Sequence, residues 1–478
     1  IKCFFLMELN SSYKSYNKLI WPVYLLNGFN SISFAGIIIL MVPLSSLIWP
    51  GEEYHALEMG IIMTTLLWSS SVSGLIFGRL IDKYSRVKIL IFIAIMRSFC
   101  MILLGFAIAG LGLFTWVYFF TIILIFGIFA GGSYPAIVSL SNDLVPLKHR
   151  SKFFGYFTIA GSVFMMSGFL ISGSLVQFGF WRVYFFGIGF AVLISGLIFY
   201  LIVKEPKRGS QSKELQSVLV NEEIEYDFRM NKELMRKTML SRTNLAALIE
   251  GIFTNVFMGS LDMIILPYLQ TPPHNLSPLI TGLFIVIYGV TGRIIGQIVL
   301  ARFSDKLAEH KGERRIYFII FSLIGGSITF VLMFFVPIPY LTPTEGADIV
   351  FFFSLPISYM MGILILSSDA ISSLYAVNQP PLLQEINLPE GQGQIISWNQ
   401  FLEHIGYGLG PLIAGIFIST FGQNYRISAI IITIFVIPGT LLWILSLTWY
   451  PQDIKKIKTI LEERAGILKK RKKINNEK

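Results

Sequence analysis

Long apolar runs alternate with short polar stretches along most of the chain. Each run holds roughly 20 mostly apolar residues or more, which is enough for a helix to cross about 30 Å of hydrocarbon. The pattern therefore predicts an all-α membrane protein with twelve membrane-spanning helices. The predicted spans are residues 20–48, 57–80, 88–110, 115–140, 153–176, 182–203, 245–269, 277–301, 315–336, 350–377, 394–420 and 426–449.

A polar stretch between the sixth and seventh runs divides the spans into two sets of six. A charged linker of about 40 residues at this place is a natural domain boundary. The chain is therefore expected to have an N-terminus at 1–19, six-helix bundles at 20–203 and 245–450, a linker at 204–244 and a basic tail at 451–478.

The distribution of Lys and Arg predicts the orientation of the spans. The predicted loops after spans one, three, seven and nine hold neither residue, and those after spans five and eleven hold one each, Arg182 and Arg426. Cytoplasmic loops carry the excess of positive charge, so both termini are expected on the cytoplasmic side of the cell membrane. The same distribution accounts for the net charge of +10 without a nucleic-acid partner.

The tail after residue 450 has isoleucines at helical spacing among lysines, including Ile454, Ile457 and Ile460. This pattern predicts a helix on the anionic membrane surface, with membrane lipids as partners. A solvated basic tail that only enforces the orientation is the alternative.

A short cationic turn with one acid follows the second span, Gly78-Arg79-Leu80-Ile81-Asp82-Lys83-Tyr84-Ser85-Arg86. It returns in the second half as Ala301-Arg302-Phe303-Ser304-Asp305-Lys306. This twice-repeated loop resembles the cytoplasmic signature of the major facilitator superfamily, whose members have two pseudo-symmetric six-helix bundles with the cargo site near the midplane between them. The resemblance implies a secondary transporter that works by alternating access, and a small-molecule cargo.

The same resemblance implies a cytoplasmic gate. In the family this loop closes the cytoplasmic side, and an acid followed seven residues later by an arginine at the end of the fourth span accompanies it. The gate residues implied here are Gly78, Asp82, Arg86, Asp143, Arg150 and Asp305. Gly74 and Gly78 are four residues apart, and such a small-residue pair predicts close packing against a neighbouring helix.

Ionisable side chains inside spans are costly in hydrocarbon, so each is expected to face a partner or water. Glu250 and Asp262 are 12 residues apart on one predicted span, about 18 Å along a helix. One ligand cannot contact both, and Asp262 is the one expected near the midplane. Proton coupling is a hypothesis that rests on Asp262, Glu403 and His404. The full candidate set for cargo or proton binding is Asp262, Glu403, His404, Glu250, Asn30 and Asn255.

The segment from Gln379-Pro380-Pro381 to Gln392-Gly393-Gln394 is similar to that of prokaryotic members related to the spinster-like lysolipid carriers. A lipid or lysolipid is therefore an alternative cargo, and a channel or a non-transporting membrane sensor or enzyme are alternative functions. The sequence has no phosphate-binding Gly-Lys-Ser/Thr loop, and its five His and two Cys have no ligand spacing. We therefore expect no cofactor, no metal site and no enzymatic activity.

Overall fold

A computed structural model describes residues 2–145, 150–206, 230–309 and 311–476. Every regular element within these ranges is a helix, and twelve helices are long and apolar enough to cross a membrane. The predicted fold class and number of spans are therefore confirmed. Numbered from span 1 to span 12, they are Ile20–Ile39, Ala56–Ile81, Arg86–Gly105, Leu113–Ser141, Phe153–Gln177, Trp181–Ile202, Arg242–Gln270, Pro278–Ala308, Arg314–Met333, Pro356–Glu385, Pro389–Thr420 and Tyr425–Ile467.

The helices themselves have the following bounds. In the first half they are Lys2–Ile39, Met41–Ile48, Ala56–Lys83, Arg86–Gly105, Leu113–Ala130, Ser133–Leu144, Arg150–Gln177 and Trp181–Ile202. In the second half they are Lys232–Thr238, Arg242–Gln270, Pro278–Phe284, Thr291–Ile294, Ala301–Ala308, Arg314–Met333, Ile349–Ser354, Pro356–Glu385, Pro389–Thr420, Tyr425–Thr433 and Val436–Asn476. Span 8 also contains two π-helical segments, Ile285–Val290 and Ile295–Leu300. Glu345–Ala347 forms a 3₁₀ turn.

The predicted boundaries also differ around the tenth and eleventh spans. The predicted loop between 377 and 394 is mostly helical, because span 10 continues to Glu385 and span 11 begins at Pro389. Pro389 occupies the first turn of span 11, where a missing N–H costs nothing. Pro380 and Pro381 lie inside span 10, so a proline pair that indicated a loop does not end this helix.

The linker expected at 204–244 lies largely outside the described residues. Within its described part, Lys232–Thr238 forms a short helix that begins with an Asn231 cap, and span 7 already begins at Arg242. Met239 packs with Leu248 of span 7 and Ile395 of span 11 in a buried apolar cluster. The end of the linker is therefore part of the packed structure.

Backbone contacts divide the chain into two compact units. The first comprises Ile1–Asn221, Leu269–Leu283 and Leu341–Ala347. The second comprises Glu222–Tyr268, Phe284–Tyr340 and Asp348–Lys478.

Small residues set the helix packing within the first unit. A Cβ at Gly168 of span 5 would lie 2.9 Å from Ala35 Cβ and from Ile32 Cα of span 1, so the two backbones approach closely. Gly74 of span 2 likewise faces the backbone of Gly131, with a Cβ position 3.3 Å from the Gly131 oxygen. The packing predicted for Gly78 is not found within the described part of the chain, where no atom lies within 4 Å of its Cβ position. Four residues further along the helix, this face has left the contact with span 4.

Close backbone contacts also hold the second unit together. A Cβ at Gly259 of span 7 would lie 2.1 Å from the Tyr407 oxygen of span 11. Gly410, also of span 11, faces Gly259 and Val256 of span 7. Gly292 and Gly296 of span 8 face the span 10 backbone at Leu366 and Ala370 in the same way. Spans 7, 8, 10 and 11 therefore form one tightly packed group around their inner faces.

The C-terminal tail does not form a separate surface helix. It continues span 12 without interruption to Asn476, and Asp453, Ile457 and Arg464 are buried along one face. Asp453 Oδ2 accepts hydrogen bonds from the N–H (3.2 Å) and hydroxyl (2.8 Å) of Thr243 at the start of span 7. Arg464 forms an ion pair of 2.7 Å with Glu390 at the start of span 11. The apolar face of this helix therefore packs against the protein. A pattern of isoleucines among lysines does not show whether such a face packs on protein or on the membrane surface. The side chains of the terminal lysine cluster lie outside the described residues.

Asp453 caps the first turn of span 7 together with Ser241, whose hydroxyl accepts from the Asn244 N–H at 3.4 Å, so Asp453→Ala should destabilise the second half. Loss of a helix cap costs about 1 kcal/mol. We expect the unfolding midpoint of the purified protein to fall in Asp453→Ala and to stay unchanged in Glu463→Gln, which removes an exposed acid from the same helix. Equal midpoints for the two variants would contradict the capping role.

Candidate functional site

Two carboxyl groups from different spans meet at one tyrosine hydroxyl in the second half. Glu250 of span 7 is completely buried, and Glu403, near the midpoint of span 11, is partly exposed. Tyr375 of span 10 places its Oη 3.1 Å from Glu250 Oε2 and 3.2 Å from Glu403 Oε1. We refer to Glu250 and Glu403 as the carboxyl dyad.

Neutral donors surround the dyad. The Thr254 hydroxyl donates to Glu250 Oε1, and Asn399 Nδ2 donates to Glu403 Oε1 at 2.7 Å. Gln379 Nε2 donates to Tyr375 Oη at 2.8 Å and also bonds to Asn399. Three of these contacts join residues one helical turn apart, so the local helix geometry orients the side chains.

Glycines make room for the two acids. A Cβ at Gly251 of span 7 would lie 3.0 Å from Glu403 Cγ. A Cβ at Gly439 of span 12 would lie 3.2 Å from Glu250 Cγ and 3.1 Å from the Thr254 hydroxyl. The dyad is thus enclosed by four spans, namely 7, 10, 11 and 12.

The number of hydrogen atoms limits how this cluster can be bonded. A tyrosine hydroxyl carries a single hydrogen, so Tyr375 can donate to only one of the two carboxyls. The oxygen of the other carboxyl lies at a similar distance from the same hydroxyl. One proton on either carboxyl would supply the second hydrogen, and the pair would then carry one negative charge.

A second charged cluster lies in the same half. Arg293, at the midpoint of span 8, donates from Nε to Asp369 Oδ1 of span 10 at 2.8 Å. Asp262 of span 7 is close enough for its charge to act on Arg293. Arg293 lies between the two π-helical segments of span 8, and such segments are frequent at functional sites. The cluster contains two acids and one base.

The structure separates the residues on which the coupling hypothesis rested. Asp262 belongs to the Arg293 cluster, whereas Glu403 pairs with Glu250 through Tyr375. His404 is exposed and directly follows Glu403 in span 11. Among these side chains, the structure thus joins Glu250, not Asp262, to Glu403.

The side chains of the two candidate asparagines differ in their bonding. In the first half, Asn30 is buried, and its backbone oxygen accepts hydrogen bonds from Ser33 and Arg97. Its side-chain Oδ1 has no hydrogen-bond partner among the described residues. In the second half, the Asn255 side chain donates to the Gly251 oxygen one turn earlier at 2.8 Å.

The first-half signature is organised around Arg86, which begins span 3 and is 2% exposed. Its guanidinium contacts Asp143 Oδ2 at 2.5 Å and Glu205 Oε1 at 2.8 Å. It also donates to the Ser139 oxygen at 2.9 Å and the Pro206 oxygen at 3.1 Å. This Arg86 network joins the start of span 3 to the end of span 4 and to the segment after span 6.

Glu205 is the member of this network that sequence reasoning missed. Its other oxygen accepts from the Val87 N–H at 2.9 Å and from the Ser85 hydroxyl at 2.7 Å, so it caps the N-terminus of span 3. Burial would raise the pKa of the Glu205 carboxyl, but the bonds from Val87, Ser85 and Arg86 outweigh burial and lower the pKa. The only signal in the sequence was an acid two residues after an apolar run.

Other gate residues are resolved in part. Asp305 forms an ion pair of 2.8 Å with Arg315 at the start of span 9. The side chains of Asp82 and Arg150 lie outside the described residues. The gate roles of all six residues thus remain predictions.

Comparison with known proteins gives a family match. The model for the Major Facilitator Superfamily matches residues 20–378, more than half of the chain. "Multidrug resistance protein 2" of Bacillus subtilis (strain 168) is 28% identical over 200 residues, which are 42% of this chain. The matched part spans 48% of that protein's own length, about half of it.

Solved transporter structures share the fold. A bacterial homologue of the human lysosomal transporter Spinster superposes with a TM-score of 0.68 at 17% identity, over 92% of this chain and 98% of that chain. The nucleoside transporter NupG gives 0.62 at 12% identity, over 90% and 99%. A D-xylose-proton symporter gives 0.59 at 17% identity, over 88% and 97%. The family resemblance inferred from the signature loops is confirmed, and the solved structures that share the fold include a spinster homologue.

The lowered pKa of Glu205 predicts a pH-dependent contribution to stability. A carboxyl whose pKa is lower in the folded than in the unfolded protein stabilises the folded state at pH values above the unfolded pKa, which is about 4.3 for Glu. This stabilisation is lost as the pH falls through the pKa of the folded state. We expect the unfolding midpoint of Glu205→Gln to lie below that of the unchanged protein at pH 7, and the difference to shrink at acid pH. Glu309→Gln, which removes an exposed acid, should show no such difference. A Glu205→Gln difference that is constant with pH would contradict the assignment.

Proposed function

We propose that this chain, which belongs to the major facilitator superfamily, is a secondary active transporter. In this proposal it moves a small molecule by alternating access and couples the movement to protons. The two six-span halves, 20–203 and 245–450, are the bodies proposed to move against each other. The proposed location is the cell membrane, with both termini on the cytoplasmic side.

The single observation that supports proton coupling is the carboxyl dyad. Glu250 and Glu403 share one hydroxyl and have neutral donors, so their hydrogen bonds require one proton. An acid that must hold a proton in one state and can lose it in another is the element that coupling needs. Release of that proton would leave two negative charges beside each other between spans 7, 10 and 11. This change in charge would bias the populations of the two transport states.

The Arg293 cluster is the proposed cargo-facing group. Asp262, Arg293 and Asp369 combine two acids with one base, and Arg293 lies at the midpoint of its span with a side chain that is 52% exposed. A charged group at this depth is expected to face a polar path. Lysolipids remain the second cargo class, because the span 10–11 segment is similar to that of spinster-like carriers. The Arg86 network is proposed to hold the gate loop in shape.

The proton count makes a sharp prediction about the dyad. In either Glu250→Gln or Glu403→Gln, the new amide can donate to Tyr375, which then donates to the remaining carboxylate, so no proton is needed. Each single variant should therefore lose the infrared carbonyl band of a protonated carboxylic acid at neutral pH. Glu462→Gln, an exposed acid on the C-terminal helix, should retain it. If either dyad variant kept the full band, the shared proton would be ruled out.

Transport can be tested once a ligand is found. A ligand that binds only the folded protein raises the unfolding midpoint, so a panel of organic cations, sugars, nucleosides and lysolipids at two pH values identifies a cargo class. In liposomes, an imposed pH gradient should drive accumulation of that ligand by the unchanged protein and by Glu462→Gln. Glu403→Gln should keep exchange between equal pools but lose gradient-driven accumulation. Accumulation by Glu403→Gln at the unchanged rate would refute coupling through the dyad.

A further inference from the structure

We propose that Tyr375 is a proton relay between the two carboxyls, an inference that rests on the proposed proton coupling and assigns the route by which the buried acid gains and loses its proton. Tyr375 lies on span 10, whereas Glu250 and Glu403 lie on spans 7 and 11. The hydroxyl is thus the one described group that contacts both acids.

Glu403 and Glu250, the two ends of the proposed relay, differ in their access to water. Glu403 is partly exposed, and the exposed His404 follows it in the same span. Glu250 is completely buried, and its described neighbours are Thr254, Tyr375, the Trp443 indole and the glycine faces of the neighbouring spans. Glu403 is therefore the end that exchanges protons with water, and Glu250 is the end that needs a relay.

The relay step moves two protons in one direction. The Glu403 O–H bond breaks as its proton bonds to Tyr375 Oη, and the Tyr375 O–H bond breaks as that proton bonds to the Glu250 carboxylate. Tyr375 ends with one proton, as it began. The negative charge moves from Glu250 to Glu403, and no other reactant is required.

The surroundings keep the hydroxyl in position for both directions. Gln379 Nε2 donates to Tyr375 Oη at 2.8 Å, and one carboxyl O–H donates to the same oxygen, which uses both of its acceptor positions. The Tyr375 hydrogen then points at the ionised carboxyl. The number of hydrogen bonds among Glu250, Tyr375 and Glu403 is therefore the same before and after the step. Tyr375 and His404 are the titratable groups that face the dyad.

Hydrogen–deuterium exchange of the buried acid tests the relay without any cargo. The full chain is purified in lipid, transferred into D₂O, and followed by the infrared band of the protonated carboxyl, which shifts on deuteration. In Tyr375→Phe the proton stays on one acid because the two carboxylates remain adjacent, but its exchange should slow on the order of 100-fold, the effect of losing a positioned proton-transfer group. Tyr359→Phe, an exposed tyrosine of the same span, should exchange at the unchanged rate.

Two outcomes would overturn the relay. The first is equally fast exchange in Tyr375→Phe and in the unchanged protein, with the acid band present in both. The second uses the unchanged sequence with ¹³C-ring-labelled tyrosine, so it does not depend on folding of the variant. A tyrosine C–O band should shift at the same pH as the acid band, and a band that does not move would refute the relay. Loss of the acid band from the unchanged protein would instead refute the shared proton itself.

Discussion

An ionisable side chain inside hydrocarbon needs a partner or water, and partners that come from other helices organise the interior of this protein. The Arg293–Asp369 pair joins spans 8 and 10 at their midpoints. The carboxyl dyad joins spans 7 and 11 through a span 10 hydroxyl. Each contact is also a helix-to-helix constraint, so the groups that could bind cargo or protons are the same ones that fix how the spans pack.

Arg97 shows another solution to the same constraint. It is buried in span 3, and its described contacts are with neutral groups, the Ser33 hydroxyl at 3.0 Å and the Asn30 oxygen at 3.3 Å. Its guanidinium also lies 4.6 Å from the centre of the Phe126 ring, where the face of the ring attracts a cation. The first half thus holds a cation by dipoles and an aromatic face, whereas the second half brings two carboxyls together at one neutral hydroxyl.

The two copies of the signature loop also differ in how their arginines are bonded. Arg86 has two carboxylates, Asp143 and Glu205, and donates from every nitrogen. In the second copy, Arg315 at the start of span 9 pairs with Asp305 and with the neutral Asn378, and its Nε has no hydrogen-bond partner among the described residues. The first copy is consequently the more fully bonded of the two.

Hydropathy alone was sufficient for the twelve spans, because a hydrocarbon layer imposes a minimum apolar length that few other structures share. The sequence was less informative about the site, since depth along one helix does not determine which helix a side chain faces. Asp262 was ranked above Glu250 by its position on span 7, yet it is Glu250 that faces Glu403. Tyr375 was missed because a tyrosine within an apolar run has the same pattern as a packing residue, and its role depends on two acids that are 125 and 28 residues away. The dyad also links protonation to helix packing: without its proton, two carboxylates would compete for one hydroxyl hydrogen, and water or movement of spans 7, 10 and 11 would have to compensate for the second charge.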